Sequence, residues 1–559
     1  MRKYIHTPAE KNISHVILEK EIKEYLKKYL PEYMIPASII ILKKFPITNN
    51  GKVDRKKLLE QKNYFLSSQT THLVKAKTPT ERKLIEIYKN ILHVKDIGIE
   101  NDFFDMGGHS LLLTKLIFTL REEFNIDLPL RVGITETTVL KMAAVIDQYS
   151  NAHDITYSQY IDKINLQQEC FLPDDIAIQI PRSKNATIQY ILLTGSTGFL
   201  GAFLLQTLIK NTSTHIFCLI RAKNIKEAEK KLIANLTHYQ LQSVYDKKRV
   251  RIVVGDLEKK YIGLSAKKFC LLAKKIDAIY HNAALVNFVY SYQAVSKSNV
   301  HGTKEILKFA ITKKTKPIHF ISTLSVFSKS DLQSTHILEE QISDHLPDNN
   351  GYVISKWICE KIIETARKRN IPVAIYRIGR ISGDSKTGVC QLDDFFWRIL
   401  KSSIEIKKLS TLRQNQFIDL SPVDFVSNAI VAISQQSESL GKNFHISNSN
   451  PAEPKVLLNA LYKAGYFFET VSLDEWKLCL QNHVTDNHDI STESILSAIE
   501  WMNKENASPS YDLRNTISFL KKQSIRCHDV DEKLLNLYLN FFIRSHYFKP
   551  PIEQALSYV

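Results

Sequence analysis

The chain has 559 residues, a net charge of +17 at pH 7 and seven cysteines that are spread singly along it. This length exceeds what one ordinary hydrophobic core accommodates, so we expect several domains. The absence of any Cys-x-x-Cys pair argues against a disulfide framework and against a zinc site, so we predict no metal. No uninterrupted apolar run approaches the roughly 18 residues of a membrane span, and we predict a cytoplasmic protein without a membrane partner.

The positive charge is unevenly distributed. Residues 78–149 have a net charge of −3, so the rest of the chain carries +20. An acidic segment in a basic chain suggests docking within the chain at least as much as attraction to an external polyanion. Because no platform of aromatic and basic residues accompanies the charge, we predict no nucleic-acid partner.

Residues 1–65 form the first predicted region, a small α+β piece. A helical pattern covers Ile17–Leu30, a short apolar strand follows at Ser38–Leu42, and Asn50-Gly51 marks a turn directly before Lys52. This piece is too small to be expected to fold alone. The polar residues 67–71 that follow it are typical of a linker.

Residues 78–149 form a second predicted region, which is helical. Thr78-Pro79-Thr80-Glu81 has the residues of a capping box, with Thr78 as N-cap and Glu81 three positions later. Apolar residues then recur at helical spacing, which predicts amphipathic helices around one small core. Ser110 falls just before the second helix, after Gly107-Gly108-His109.

From residue 186 onward, apolar strands alternate with segments of helix length. This alternation predicts an α/β, Rossmann-like, doubly wound parallel sheet. Beyond about residue 385 the alternation stops, and we predict a mostly helical, lid-like substrate subdomain there. The predicted strands are Tyr190–Leu193, Ile216–Ile220, Val250–Val254, Ala278–Tyr280, Ile318–Ile321 and Val373–Tyr376.

A glycine-rich loop follows the first of these strands. Thr194–Gly201 reads TGSTGFLG, and its glycines let the backbone approach a pyrophosphate that the following helix N-terminus stabilises. Arg221 ends the second strand, where an enzyme specific for NAD has an acid, so a cation there favours the 2′-phosphate of NADPH. Asp256 ends the third strand and could contact adenine or cap the next helix.

Tyr352 and Lys356 form the one Tyr-x-x-x-Lys pair in a chain of 24 tyrosines. Positions i and i+4 share one helix face, so we expect the ammonium to lie beside the phenol and to favour its ionised form. Such a tyrosine is a usable general acid. Upstream, Thr323 and Ser325 offer a hydroxyl that could polarise a substrate carbonyl.

Together these motifs resemble the extended short-chain dehydrogenase/reductases, and among them the thioester reductase domains that terminate nonribosomal peptide synthetases. The resemblance covers residues 186 to roughly 450, within a reductase domain that we assign to residues 186–559. It implies Thr323, Tyr352 and Lys356 as the catalytic triad, with Ser325 as the alternative hydroxyl. It also implies NADPH as the cofactor. The residues implied to bind it are Gly195, Thr197, Gly198, Phe199, Leu200, Gly201, Arg221, Asp256, Leu257, Asn282, Ala283, Ala284, Asn299, Tyr352 and Lys356.

Residues 78–149 resemble a peptidyl carrier domain, a four-helix bundle, through the stretch Asp102–Leu111. The resemblance implies that a phosphopantetheinyl transferase attaches 4′-phosphopantetheine to Ser110, and that glycines 107 and 108 leave room for that enzyme. Residues 1–65 resemble the last part of an adenylation domain, in which Lys52 contacts the acyl-adenylate. Yet the regions that bind ATP and select the acyl group are absent from this chain.

The combined resemblance predicts reductive release of a carrier-bound acyl or peptidyl thioester, delivered by upstream modules, as an aldehyde or an alcohol. A fragment of an α-aminoadipate reductase or a carboxylic acid reductase shares this domain order and remains an alternative. A non-reducing cyclase of the same fold would lack the tyrosine, so Tyr352 counts against it. A non-catalytic carrier scaffold would need a degenerate reductase, and the intact glycine loop counts against that.

Overall fold

The structure is a computed structural model. It describes residues 74–151 except 93, 95, 105, 109, 125, 127 and 129–131, then 165–178, 187–287, 292–328, 331, 336–347, 350–410, 418–487 and 510–551, together with residue 22. The predicted region 1–65 with Lys52, and the side chain of Ser110, lie outside this description. The chain divides into two compact units, residues 1–156 and 157–559.

Four helices make up the described part of the first unit. They are α1 (Pro79–Leu92), α2 (Ser110–Phe124), α3 (Val132–Thr135) and α4 (Val139–Asn151). The predicted capping box is present: the backbone N–H of Glu81 donates to Thr78 Oγ1, and the backbone N–H of Thr78 donates to the Glu81 carboxylate. The apolar faces of the helices share one core, in which Leu84, Tyr88, Leu116, Ile117 and Met142 are buried.

The two glycines before Ser110 have distinct structural roles. Gly107 has φ +97°, the left-handed region that glycine occupies without strain. At Gly108 a β-carbon would lie 2.3 Å from the ring of Phe103 and 2.4 Å from its carbonyl oxygen. Phe103 is fully buried, so Gly108 is required for the packing of the loop onto the core. Local folding therefore accounts for Gly108, whereas the side of Gly107 is open, with no atom within 4 Å of a β-carbon placed there, and the expectation of room for a partner enzyme at Gly107 stays a prediction.

The described part of the second unit contains thirteen strands. They are β1 (Tyr190–Thr194), β2 (His215–Ile220), β3 (Val250–Val254), β4 (Ala278–His281), β5 (Ile318–Thr323), β6 (His336–Ile337), β7 (Val373–Ile378), β8 (Ile381–Ser382), β9 (Lys408–Ser410), β10 (Ser421–Pro422), β11 (Asn443–Ile446), β12 (Glu469–Val471) and β13 (Ser510–Tyr511). Seven of them form a parallel sheet at the centre of the unit, in the order β11-β7-β5-β4-β1-β2-β3. The chain leaves β1 toward β2 on one side and returns to β4 on the other, so β1 and β4 flank the switch point where Rossmann-like sheets bind dinucleotides.

Helices cover both faces of this sheet and form two hydrophobic clusters, one on each face. The helices are α5 (Leu166–Cys170), α6 (Phe199–Asn211), α7 (Ile225–His238), α8 (Ala266–Lys275), α9 (Tyr292–Ser296), α10 (Gly302–Ile311), α11 (Gly351–Lys368), α12 (Phe395–Ile406), α13 (Val423–Ser434), α14 (Pro454–Lys463), α15 (Leu473–Asn487), α16 (Arg514–Lys521) and α17 (Glu532–Arg544). A π-helical turn covers Lys297–His301, and 3₁₀ turns cover Gln242–Val244, Lys260–Gly263, Leu324–Val326 and Ser437–Ser439.

The predicted doubly wound sheet is confirmed, including all six strands expected from the sequence. The sequence did not predict one further strand of this sheet, β11, which pairs with β7 and forms the edge of the main sheet beyond residue 385. Its sequence, Asn-Phe-His-Ile, has a polar residue at every second position, although all four residues are buried. The rest of the C-terminal region is mostly helical, with a core around Trp397, Tyr538 and Phe542.

Among the described residues, no helix is both long enough and apolar enough to cross a bilayer.

Candidate active site

The glycine-rich loop connects β1 to α6 at the switch point of the sheet. Gly195 has φ +74°, and a β-carbon there would lie 2.8 Å from the backbone of Ala283. A β-carbon on Gly201 would lie 1.9 Å from the carbonyl oxygen of Gly195. Both glycines are therefore needed for the loop to fold back onto α6 and β4.

Gly198 differs from these two because the protein itself leaves its side open. The nearest atom to a β-carbon there is 3.5 Å away, and φ is −104°, which any residue adopts. Gly198 and Thr197 are exposed at the N-terminus of α6, whereas the side chains of Phe199 and Leu200 are buried in the core. A bare, exposed helix N-terminus fits the pyrophosphate of a nicotinamide dinucleotide.

Replacing Gly198 with alanine should leave the fold intact and weaken dinucleotide binding by about tenfold or more, because the added methyl group occupies the space where a phosphate approaches the backbone. Isothermal titration with NADPH measures this. The contrasting variant Gly201→Ala, whose β-carbon would lie 1.9 Å from the carbonyl oxygen of Gly195, should instead lower the thermal midpoint. Unchanged NADPH affinity in a folded Gly198→Ala protein would contradict the assignment of this loop.

The residues predicted to recognise the adenosine end lie at the C-terminal ends of β2 and β3. Arg221 is 69% exposed, and its Nη1 lies 3.1 Å from Glu258 Oε1. Asp256 Oδ1 accepts the backbone N–H of Glu258 at 3.2 Å, so this carboxylate stabilises its own loop. Leu257 is partly buried against the core. Arg221 remains accessible to a ligand, since exposed ion pairs of this kind are weak.

The segment after β4 carries the next predicted residues. Asn282 Nδ2 donates to the carbonyl of Gly195 at 3.3 Å, and Ala283 and Ala284 line the same partly buried segment. Asn299, in the π-helical turn, is 3% exposed. Its amide donates to Ser355 Oγ and to the carbonyl of Leu285, and its Oδ1 accepts the N–H of Leu285. The contacts of Asn299 are thus within the protein.

The three predicted catalytic residues lie on β5 and on α11, which packs against it. Lys356 Nζ donates to the carbonyl of Ile321 at 2.6 Å, two residues before Thr323. Thr323 is the last residue of β5, and its Oγ1 accepts the N–H of Ser325, which leaves the hydroxyl proton to donate. Tyr352 lies in the first turn of α11, just after the N-cap Asn350.

Burial controls the protonation of this group. Desolvation raises the pKa of Tyr352 above its ordinary value and lowers the pKa of Lys356 to about 8. The expected lowering of the Tyr352 pKa is not found, because desolvation raises this pKa. The ammonium of Lys356 donates to the Ile321 carbonyl. The phenol is neutral near pH 7, which is the form that a proton donor requires.

Sequence reasoning missed a buried ion pair next to this site. Arg377 on β7 and Glu360 on α11 are fully buried, with Nη2 and Oε2 2.7 Å apart. Glu360 Oε1 also accepts the hydroxyl of Ser322, the neighbour of Thr323, at 2.5 Å. The signal was available: Arg377 is a charged residue within the apolar run Val373–Ile378, and Glu360 is four positions after Lys356.

Comparison with known proteins gives the family. The family model described as male sterility protein, an NAD-binding domain, matches residues 193–430, and that of the phosphopantetheine attachment site matches residues 82–146. The terminal R domain from the myxalamid PKS-NRPS biosynthetic pathway is 33% identical with a TM-score of 0.64, over 69% of this chain and 98% of that one. The chain belongs to the family of terminal reductase domains of nonribosomal peptide synthetases.

Three further relatives agree with this. One of the proteins that make up the linear gramicidin synthase of Brevibacillus parabrevis is 38% identical over 94% of this chain, and L-2-aminoadipate reductase of Saccharomyces cerevisiae is 30% identical over 92%. The chain spans 10% and 39% of the lengths of these relatives. A thiolation-reductase di-domain from an archaeal synthetase, 24% identical, has the same fold with a TM-score of 0.66 over 86% of this chain and 100% of that one.

The chain therefore combines a region that matches phosphopantetheine attachment sites with a region that matches NAD-binding reductase domains.

Proposed function

We propose that this chain releases an acyl or peptidyl group, held as a thioester on the phosphopantetheine of Ser110, as an aldehyde with NADPH as reductant. The observation that carries the proposal is the hydrogen bond from Lys356 Nζ to the carbonyl of Ile321, which brings the helix that carries Tyr352 and Lys356 to the strand that ends in Thr323. We further propose the domain boundaries 1–65, 78–149 and 186–559, with Lys52 in an adenylation remnant.

Each side chain of the triad has one task. Tyr352, whose phenol keeps its proton near pH 7, hydrogen-bonds the carbonyl oxygen and donates its proton there. Thr323 donates a second hydrogen bond to the same oxygen with the proton that its N-cap contact leaves available. Lys356, a cation below about pH 8, supports the charge that Tyr352 acquires.

The dinucleotide would be held by the exposed loop at Thr197 and Gly198 and by Arg221. When bound, it supplies the hydride for the carbonyl carbon of the thioester. With that hydride and the proton from Tyr352, the carbon–sulfur bond then breaks, giving the aldehyde and returning the thiol on the phosphopantetheine arm.

Several acyl sources fit the same site. The relative named L-2-aminoadipate reductase belongs to the same family, so an aminoadipate-like substrate is one member of the substrate class. Upstream synthetase modules and a phosphopantetheinyl transferase are the partners that this role requires. The presence of Tyr352 disfavours a non-reducing cyclase, and the open Gly198 loop disfavours a scaffold without cofactor.

Mass spectrometry of the released product tests the proposal. The chain is loaded at Ser110 from a panel of acyl-coenzyme A donors by a phosphopantetheinyl transferase, and NADPH is then added. We expect an aldehyde, or the alcohol after a second reduction, with loss of the acyl mass from the carrier. Ser110→Ala is the control and should gain no arm. Hydrolysed acid or a cyclic product without NADPH consumption would contradict reductive release.

Arg221→Ala should weaken NADPH binding far more than NADH binding, because a guanidinium forms strong charge-assisted bonds to a 2′-phosphate. Dissociation constants for both cofactors measure this. The matched variant Glu258→Gln removes the present partner of Arg221, at 3.1 Å, and should strengthen NADPH binding slightly. Equal losses for both cofactors in Arg221→Ala would remove Arg221 from the phosphate site.

A further inference from the structure

A series of hydrogen-bonded, buried side chains connects the glycine loop to the helix of Tyr352. His281, the last residue of β4, is its centre. Its Nδ1 lies 2.9 Å from Thr194 Oγ1 on β1, and its Nε2 lies 3.1 Å from Thr303 Oγ1 on α10. His281, Thr194 and Thr303 are each at most 2% exposed, so water does not compete for these bonds.

The series of hydrogen bonds continues from Thr303 to α11, the helix that carries Tyr352 and Lys356. Thr303 Oγ1 donates to the carbonyl of Asn299 at 2.6 Å. The side-chain amide of Asn299 donates to Ser355 Oγ at 2.9 Å, and Ser355 donates to the carbonyl of Tyr352 at 2.6 Å. The glycine loop and the backbone of Tyr352 are thus connected through four side chains that are not predicted to touch substrate.

The hydrogen-bond donors in this series determine the tautomer of His281. A threonine hydroxyl has one proton, and Thr303 uses it toward the Asn299 carbonyl, so its oxygen accepts from His281 and Nε2 carries a hydrogen. Burial, with Lys356 nearby, lowers the pKa of His281 to about 3, so the ring is neutral and Nδ1 has no hydrogen. Nδ1 therefore accepts the hydroxyl of Thr194, whose oxygen accepts the N–H of Ala283.

His281 also contacts the catalytic lysine indirectly. Its ring packs on Phe320, with centroids 5.7 Å apart, and Lys356 Nζ lies 4.7 Å from the centroid of the same ring. One imidazole thus supports the dinucleotide loop, the π-helical turn and the ring against which Lys356 lies. A π-helical turn is itself a frequent mark of functional positions.

We propose that His281 is a positioning residue, locked as the neutral Nε2–H tautomer, that sets the glycine loop, Tyr352 and Lys356 in register for hydride transfer. The proposal rests on the proposed function, since it assigns His281 to the positioning of that reaction's proton donor. Within this scheme His281 contacts neither substrate nor cofactor, and it transfers no proton. Its effect is on the geometry in which Tyr352 meets the carbonyl oxygen.

Nitrogen-15 NMR of the full chain tests the tautomer independently of any reaction. With ¹⁵N-histidine labelling, the His281 signals are those that disappear in His281→Gln. We expect a proton on Nε2, an unprotonated Nδ1, and no titration between about pH 5 and about pH 8, where an ordinary histidine changes charge. A proton on Nδ1, or titration near pH 6.5, would overturn the proposal and leave the reductase assignment untouched.

Kinetics tests the positioning role. His281→Leu removes both polar atoms, and the rate of hydride transfer per folded molecule should fall by about ten- to a hundredfold, as expected for buried groups left unpaired. NADPH affinity should fall less than this rate, because Gly198 and the exposed N-terminus of α6 are left in place. His281→Gln, whose amide can donate to Thr303 and accept from Thr194, should restore most of the rate. Equal rates for Leu and wild type, or equal losses for Leu and Gln, would overturn the role.

His319→Gln is the matched control. This histidine is equally buried, on the neighbouring strand β5, but its Nδ1 pairs with Tyr376 Oη at 3.0 Å, outside the chain of contacts from Thr194 to Tyr352. It should lose stability without losing rate per folded molecule. Ser355→Ala provides a second probe if His281→Leu does not fold. It removes the last link, and it should lower the rate at unchanged NADPH affinity; a wild-type rate there would also overturn the proposal.

Discussion

Replacing Tyr352 with phenylalanine should lower the rate of hydride transfer by about two to four orders of magnitude, the usual weight of general acid catalysis. The substitution keeps the ring, its packing in the first turn of α11 and the N-cap at Asn350, and removes only the hydroxyl. Because the phenol is neutral near pH 7 in the wild type, the loss falls on proton donation. Stopped-flow measurement of NADPH absorbance in a single turnover of the acyl-loaded chain gives the rate.

Tyr466→Phe is a suitable control for this experiment. Tyr466 is buried, and burial raises its pKa to about 12. Its hydroxyl donates to the carbonyl of Lys549 in the C-terminal core. The control should keep the wild-type rate, while NADPH affinity stays near wild type in both variants. A Tyr352→Phe protein that oxidises NADPH at the normal rate would transfer the acid role to another group.

Replacing Arg377 with methionine should lower the free energy of unfolding of the reductase unit by about 3–5 kcal/mol, the cost of leaving one partner of a buried pair without its counter-charge. The side chain of Arg377 is fully inaccessible, and that of Glu360 is 2% exposed. Both Nε and Nη2 donate to Glu360, while Nη1 faces His445 Nε2 at 3.1 Å and the carbonyl of Glu339. No water can replace these contacts.

Urea unfolding followed by tryptophan fluorescence measures this effect, because all four tryptophans lie within residues 157–559. The control is Lys463→Met, which breaks an ion pair of equal length, 2.7 Å, whose side chains are 64% and 42% exposed. It should leave the midpoint almost unchanged. The double variant Arg377→Met with Glu360→Leu should recover part of the loss. Equal midpoints for Arg377→Met and Lys463→Met would contradict the role of burial.

Much of the candidate site could be predicted because its signals are local. Three motifs each lie within one turn or one loop: Thr194–Gly201, Tyr352 with Lys356, and the capping box from Thr78 to Glu81. The relative positions of their residues therefore follow from their spacing along the chain. The residues that support the site are different. Glu360 and Arg377 are 17 positions apart in the sequence, and His281 and Thr194 are 87 positions apart. Their pairing therefore depends on which strands become neighbours.

By itself the sequence determined that the chain has a helical unit and an α/β unit, the six predicted strands of the parallel sheet, and the residue types at its switch point. Periodicity and glycine spacing are properties of neighbouring residues and survive without tertiary contacts. Only the tertiary structure decided that Asn443–Ile446 joins the sheet, that Gly108 packs against Phe103, and that desolvation raises the pKa of Tyr352. Desolvation and close packing depend on atoms from distant parts of the chain, so no local pattern encodes them.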